Sequence, residues 1–332
     1  MLAVVVDAFG VAPVVREVPV PRAAPGGVVL AVAATGLCRS DWHGWQGHDR
    51  DLTVPYVPGH ELAGTVHEVG AGVTGWAVGD RVTVPFVCAC GTCAQCQAGQ
   101  HQVCTAQQQP GFTYDGSFAE YVAVPNAAVN LVAVPDGLDL VAAAALGCRF
   151  ATAYRAVTQV GAVRPGEWLA VFGCGGVGLS AVMIGAAGGA RVVGVDPNPA
   201  ARALAVEHGA EYAVASLDRA VEVTLDAVGS VPVVRSALAA LVPGGRHVQV
   251  GLLPGEITLD VSLLVARELR WLGSHGMAAY AYAGLLGLVA RGTLHPERLV
   301  TREIGLADVP AALAELGADR APAGITVIRP RR

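Results

Sequence analysis

Residues Leu169–Asp196 read LAVFGCGGVGLSAVMIGAAGGARVVGVD. An apolar, strand-like run ends at Phe172. Gly173, Gly175 and Gly178 follow in the spacing G-x-G-x-x-G, an apolar helix-like segment comes next, and Asp196 closes the next strand-like run. Each part has a physical task. The first glycine permits a tight turn, the second lets backbone approach a pyrophosphate, and the third lets helix and strand pack closely. The helix start at Gly176 and Val177 presents amide N–H groups to negative charge. Asp196 is placed to accept hydrogen bonds from ribose hydroxyls, and an acid there repels a 2′-phosphate, which favours NAD over NADP. No Arg follows it directly; Arg202, six residues on, is read as touching the ribose region. A glycine-rich packing turn is the bland alternative for the spacing alone, but strand, helix and acid in register select a dinucleotide site. Cys174, inside the turn, is read as a small packed residue.

The segments around this stretch agree with it. From about Arg149, EWLAVFG, ARVVGVD, EYAVA, VTLDAVG, GRHVQVG and LRWLGS alternate with Ala/Leu-rich helical stretches. That alternation predicts an α/β fold with a doubly wound parallel sheet. Before it, Val-rich runs (LAVVV, VVLAVAATG, LAGTVHEVG, RVTVP, FAEYVAV) are separated by Gly, Pro and Asp, which predicts an antiparallel or barrel-like β unit. The tail after GSHGM holds a helix, a Pro-containing connection and a last strand, GITVIRP, and is expected to rejoin that β unit. Trp168–Ala190 is 23 residues without a charge, long enough to span a bilayer, but seven are Gly. It reads as a buried strand, a turn and a packed helix.

The 332 residues carry a formal charge of −5 and are 53% hydrophobic and 15% charged, so no general affinity for nucleic acid or membrane is expected. All 22 cationic side chains are Arg, which excludes lysine Schiff-base chemistry. The opening MLAVVVDAFG has no signal-peptide pattern, and a cytoplasmic location is expected. Eight cysteines are then better suited to metal than to disulfides. Five crowd into Val87–Cys104, VCACGTCAQCQAGQHQVC. Cys90, Cys93, Cys96 and Cys104 have the spacing of a closed tetrahedral thiolate site with no vacant position, so the cluster is structural zinc. Such a site contributes on the order of 10 kcal/mol of apparent folding energy. Cys88 is surplus and read as a packed thiol. A nucleic-acid zinc finger fails on charge, since no Arg or Lys lies between Val87 and Phe112.

GLCRSDWHG (Gly36–Gly44), VPGHELAG (Val57–Gly64), the four-cysteine lobe, LGCRFATAY (Leu146–Tyr154) and the glycine turn occur in that order. Together they resemble the zinc-dependent medium-chain alcohol dehydrogenase family over essentially the whole chain. The resemblance implies a GroES-like β-rich catalytic domain, residues 1–149 and 278–332, with the zinc lobe at about 88–105. It implies a Rossmann domain over 150–277 and a cleft between the two. Cys38, His60 and Cys148 resemble the protein ligands of a catalytic zinc with an open fourth position. Taken singly each would pass for a packed residue; jointly they fit the ligand set. Asp41 resembles the acid that orients the His60 ring, and Glu61 the acid behind the metal. Ser40 resembles a relay hydroxyl beside the substrate oxygen. His43 resembles the imidazole that passes a proton, through the nicotinamide ribose, to solvent. Arg39 resembles a pyrophosphate contact. The implied function is hydride transfer between an alcohol and NAD(H), giving an aldehyde or ketone, with two zinc ions per chain. A specialised polyol or formaldehyde thiol-adduct dehydrogenase is the alternative within enzymes. From another class, an idle NAD-binding protein is disfavoured by the complete ligand set. Relatives form homodimers or homotetramers. Trp42, Trp45 and Tyr114 fit either a substrate pocket or the packing of the β domain.

Overall fold

The structure, a computed structural model, describes residues 1–253, 255–317 and 323–332. The chain divides into two units. Unit 1 comprises Met1–Cys148, Gly276–Ala290 and Pro296–Arg332, and unit 2 comprises Arg149–His275 and Arg291–His295.

Unit 1 opens with β1 (Leu2–Val5) and β2 (Val14–Glu17), an antiparallel ribbon. Its main sheet follows with β3 (Val28–Leu37), β4 (Glu61–Val69), β5 (Arg81–Thr83), β6 (Tyr121–Val124) and β7 (Val132–Ala133). β3 pairs antiparallel with β4 and β6, β4 with β5, and β5 with β7. The run VVLAVAATGL is buried at eight of its ten positions, which suits a central strand with both faces covered. One register detail positions the site. Gly36 on β3 lies opposite Glu61 on β4. Cys38, just leaving β3, and His60, just entering β4, are therefore neighbours across an antiparallel pair.

Unit 2 holds β8 (Trp168–Phe172), β9 (Arg191–Val195), β10 (Tyr212–Val214), β11 (Val221–Asp226), β12 (Leu241–Gln249) and β13 (Arg270–Gly273). Their spatial order is β10-β9-β8-β11-β12-β13, and every pairing is parallel. Parallel neighbours need crossovers, which the helices Gly176–Ala187, Pro199–Glu207 and Val231–Ala239 help supply. All six strand-like runs read from the sequence are present. Strand order reverses between β8 and β11, and the glycine turn begins at the carboxyl end of β8, where open α/β sheets bind ligands.

The chain then returns to unit 1 with β14 (Val300–Ile304) and β15 (Ile325–Ile328). β15 runs antiparallel to β3 with Ile328 opposite Thr35, and β14 lies parallel beside it. The tail thus completes the β unit, as its sequence indicated. Trp168–Ala190 resolves into β8, the turn and the helix Gly176–Ala187, not a span. The helical run Leu140–Val160, 21 residues, is long and apolar enough to cross a membrane, but 78% of its apolar window is buried within the protein.

Candidate active site

Cys38 stands at the N-terminus of the short helix Arg39–Trp45 and has an extended backbone. Its N–H donates to Asp41 Oδ2 at 2.9 Å, and this reciprocal cap fixes the helix start. Asp41 Oδ1 accepts from the Gly59 N–H at 3.1 Å and from His60 Nδ1 at 2.9 Å. All of Asp41 and His60 is buried. With Nδ1–H turned to a carboxylate, Nε2 is the ring nitrogen left to meet a ligand. That nitrogen is buried and has no hydrogen-bond partner among the described residues. Phe112 and Phe86 pack edge-on against the ring, at 5.6 Å and 6.3 Å between centroids, and hold its plane.

The third member arrives from a π-helical turn, Leu146–Phe150. The Gly147 carbonyl accepts from the Tyr282 hydroxyl at 3.0 Å and from the Phe86 N–H at 3.3 Å, which pins the turn that carries Cys148. Gly147 also packs where a Cβ would lie 3.1 Å from Glu61 Cα. Cys38 Sγ, His60 and Cys148 Sγ consequently offer ligand atoms within 4.8 Å of one another. Donors bound about 2.1–2.3 Å from one tetrahedral ion lie about 3.5 Å apart, so the three suit a shared zinc. Burial opposes a charge on His60, but Asp41 outweighs it by charge and hydrogen bond, assisted by Cys38. The imidazole pKa stands well above its ordinary value, and a cation on Nε2 would displace that proton.

Around the triad, Ser40 Oγ lies 3.7 Å from Cys38 Sγ. Glu61 is fully buried at the first residue of β4. His43 is exposed, and its Nδ1 lies 2.9 Å from His48 Nδ1. Partial burial, then His48 and Arg39, lower the His43 pKa, which favours the neutral ring. Arg39 donates to the Leu316 carbonyl at 2.7 Å and lies over the Trp42 ring. Trp45 is buried and donates to the Val11 carbonyl, and Tyr114 packs in the β core with its hydroxyl 3.3 Å from Cys88 Sγ. Both belong to packing. Cys88 is a buried thiol pushed up to about 12 by burial and stands outside the cysteine cluster.

Cys90, Cys93, Cys96 and Cys104 also bring their sulfurs within 4.8 Å of one another. Among the described residues, the apolar side chains clustered with these sulfurs are Ala89 and Val129, so the lobe has a small core of its own. Backbone N–H groups of Cys96 and Thr105 hold the Cys93 thiol down to about 5, and the Thr92 hydroxyl and amide with the Cys93 amide hold Cys90 near 7. Burial pushes Cys96 up to about 12. Four converging sulfurs in a lobe with so small a core fit a closed thiolate metal site.

In unit 2 the glycine turn behaves as three separate devices. Gly173 has φ +88, open to glycine at little cost. A Cβ on Gly178 would lie 1.7 Å from the Gly173 carbonyl oxygen, so helix and strand touch backbone to backbone. A Cβ on Gly175 would meet nothing within 4 Å. Protein packing does not require Gly175, whereas close approach of a phosphate would. Gly176 and Val177 open the helix Gly176–Ala187. Asp196 ties turn to strand: Oδ2 accepts from the Cys174 N–H and Oδ1 from the Asn198 N–H, each at 2.8 Å. A carboxylate keeps further acceptor capacity beyond these two bonds. Arg202 donates to the carbonyls of Asp196 and Pro197 and so secures this loop through its backbone. Cys174 is fully buried.

Sequence reasoning missed His48, Tyr282, Phe86 and Phe112. His48 had a local signal, since Gly47 stands just past the C-cap of a helix whose last turn carries His43. Tyr282 had none, lying 135 residues from the carbonyl it holds.

Two family models match the chain: the alcohol dehydrogenase GroES-like domain over residues 24–136 and the zinc-binding dehydrogenase over residues 176–291. An alcohol dehydrogenase of Geobacillus stearothermophilus is 37% identical over 287 residues, covering 82% of this chain and 84% of its own. An NAD-dependent alcohol dehydrogenase of Sulfurisphaera tokodaii is 31% identical over 324 residues, covering 91% and 92%. Among solved structures, a thermostable alcohol dehydrogenase from Pyrobaculum aerophilum with cobalt and zinc bound is 30% identical. It superposes with a TM-score of 0.90 and covers 99% of each chain.

Proposed function

The chain belongs to the zinc-dependent medium-chain alcohol dehydrogenase family, and we propose that Cys38, His60 and Cys148 hold its catalytic zinc and Cys90, Cys93, Cys96 and Cys104 a structural one. Its fold is a GroES-like β-rich domain with a Rossmann domain, and it is an NAD- and zinc-dependent oxidoreductase acting on alcohols. The observation that carries the site assignment is the buried, unpartnered Nε2 of His60, converging with two cysteine sulfurs.

Bound there, zinc supplies a Lewis acid for an alcohol or carbonyl oxygen, and NAD supplies the hydride acceptor. The chain's own residues do the rest. Asp41 fixes the His60 tautomer and, through the Cys38 N–H, the start of the helix that bears Ser40 and His43. Buried Glu61 lies directly after His60 and is assigned behind the metal. Ser40, next to Cys38, holds the proton that an alcohol gives up on oxidation. His43, kept neutral, accepts it and passes it to solvent. Gly173, Gly175, Gly176, Val177 and Gly178 receive the pyrophosphate, and Asp196 takes the ribose, with Arg202 holding its loop. An acid at that position favours NAD over NADP.

The cytoplasm is the proposed compartment, because two thiolate ligand sets persist where thiols stay reduced. A homodimer or homotetramer is proposed as well, supported by the edge position of β13 and by the exposed side chains of Leu252 and Val265 in the same unit. An alcohol and aldehyde panel followed by NADH absorbance tests the function. Turnover should require Cys38, with Cys38→Ala abolishing it while NAD binding stays measurable; retained turnover would remove the zinc assignment.

A further inference from the structure

We propose that His48 is the second member of a histidine dyad that carries the proton of alcohol oxidation from His43 to solvent. The inference rests on the reading of His43 as proton acceptor.

The dyad is a product of how the helix Arg39–Trp45 ends. Gln46 is its C-cap, and Gly47 follows with φ +73. The Gly47 N–H bonds the Gly44 carbonyl at 2.9 Å and the His48 N–H bonds the His43 carbonyl at 3.0 Å. This is a Schellman ending, in which the side chains three residues before the cap and two after it are brought together, ordinarily as an apolar contact. Here both are imidazoles. Their Nδ1 atoms lie 2.9 Å apart and the ring centroids 5.2 Å apart. Trp42 packs edge-on against both rings, at 4.9 Å and 5.5 Å, and limits their rotation. Gly47 is held to glycine twice over, by its φ and by Phe9, whose Cγ a Cβ would approach to 3.0 Å. Arg39 and Cys38 are the other charged groups that bear on His43.

Two Nδ1 atoms at this separation share one hydrogen, so the neutral pair holds one Nδ1–H ring and one Nε2–H ring. Oxidation of an alcohol by NAD releases one proton for each hydride transferred. When that proton reaches Nε2 of His43, the Nδ1–H bond of His43 breaks and an Nδ1–H bond forms on His48. His48 then gives its Nε2 proton to water or buffer base. Both rings are exposed, so solvent exchange restores the starting tautomers.

The test is His48→Phe, which keeps an apolar contact at the helix ending. In dilute buffer its alcohol oxidation should fall roughly 10-fold, less than the loss of a full general base, and added imidazole should restore it. Independently of turnover, ¹⁵N shifts of the His43 ring in the zinc-loaded, cofactor-free protein should move from the Nδ1–H toward the Nε2–H tautomer. Unchanged ring shifts, or a rate loss that imidazole does not rescue, would overturn the dyad. His43→Gln run in parallel separates the two readings. If it leaves buffer-limited turnover intact, the role of His43 fails, while the ring shifts in the His48 variant still report whether the dyad exists.

Discussion

Asp41 uses both carboxylate oxygens on the frame of the metal triad, accepting from the Cys38 N–H, the Gly59 N–H and His60 Nδ1. An amide cannot replace it, because one of its two ends is a donor that would face a donor. Asp41→Asn should therefore weaken zinc at Cys38, His60 and Cys148 by about 10–100-fold, as loss of a ligand-orienting partner does, and leave the four-cysteine zinc in place. Competitive chelator titration reads both sites in one experiment, and unaltered affinity at the triad would remove Asp41 from this task. Asp41 was visible in the sequence only through its family position; the reciprocal cap it makes with Cys38 was not. Tyr282 was not visible, because what it holds is the Gly147 carbonyl, a backbone atom with no residue signature.

At the scale of elements, the glycine turn separates packing from ligand approach. Gly178→Ala places a methyl 1.7 Å from a backbone oxygen, so β8 and the helix Gly176–Ala187 must part. Overpacking of this kind costs about 1–3 kcal/mol, and both Tm and NAD affinity should drop. Gly175→Ala has open space and a φ of −83, so Tm should hold while NAD affinity falls. Calorimetry with and without NAD distinguishes the two, and equal losses of Tm would refute the division of tasks. The parallel strands were legible because each is a short apolar run bounded by Gly, Asp or Pro. Period and punctuation are local properties. The opposition of Gly36 to Glu61, which makes Cys38 and His60 neighbours, is a register between segments 25 residues apart and left no local trace. Nor did the π-helical turn that carries Cys148, since an extra residue in a helical turn has no local sequence signature. The meeting of His43 and His48 was not read from the sequence, although a glycine after a helix is the local mark of the ending that joins them.

Across the whole molecule, both cysteine-bearing ligand sets fall in unit 1 and the glycine turn in unit 2. The two sets differ in what the protein supplies around them. The triad sits against Phe86, Phe112 and a fully buried His60–Asp41 pair, so its surroundings are packed without a metal. Among the described residues, the four-cysteine lobe clusters only Ala89 and Val129 with its sulfurs, and Tyr280 reaches it through His101 and the Gly99 carbonyl. Zinc binding of this structural kind is worth about 10 kcal/mol or more to the segment it closes, and a lobe with so small a core has little to replace it. Metal analysis should give two zinc ions per chain, matching the two clusters. Cys148→Ala should give one, with thermal unfolding little changed and turnover gone. Cys104→Ser should also give one, but with the lobe opened, a lower and broader unfolding transition in unit 1, and faster proteolysis within residues 88–105. NAD binding in unit 2 should survive both substitutions. If Cys104→Ser unfolds no earlier than Cys148→Ala, the four-thiolate cluster does not hold the lobe together.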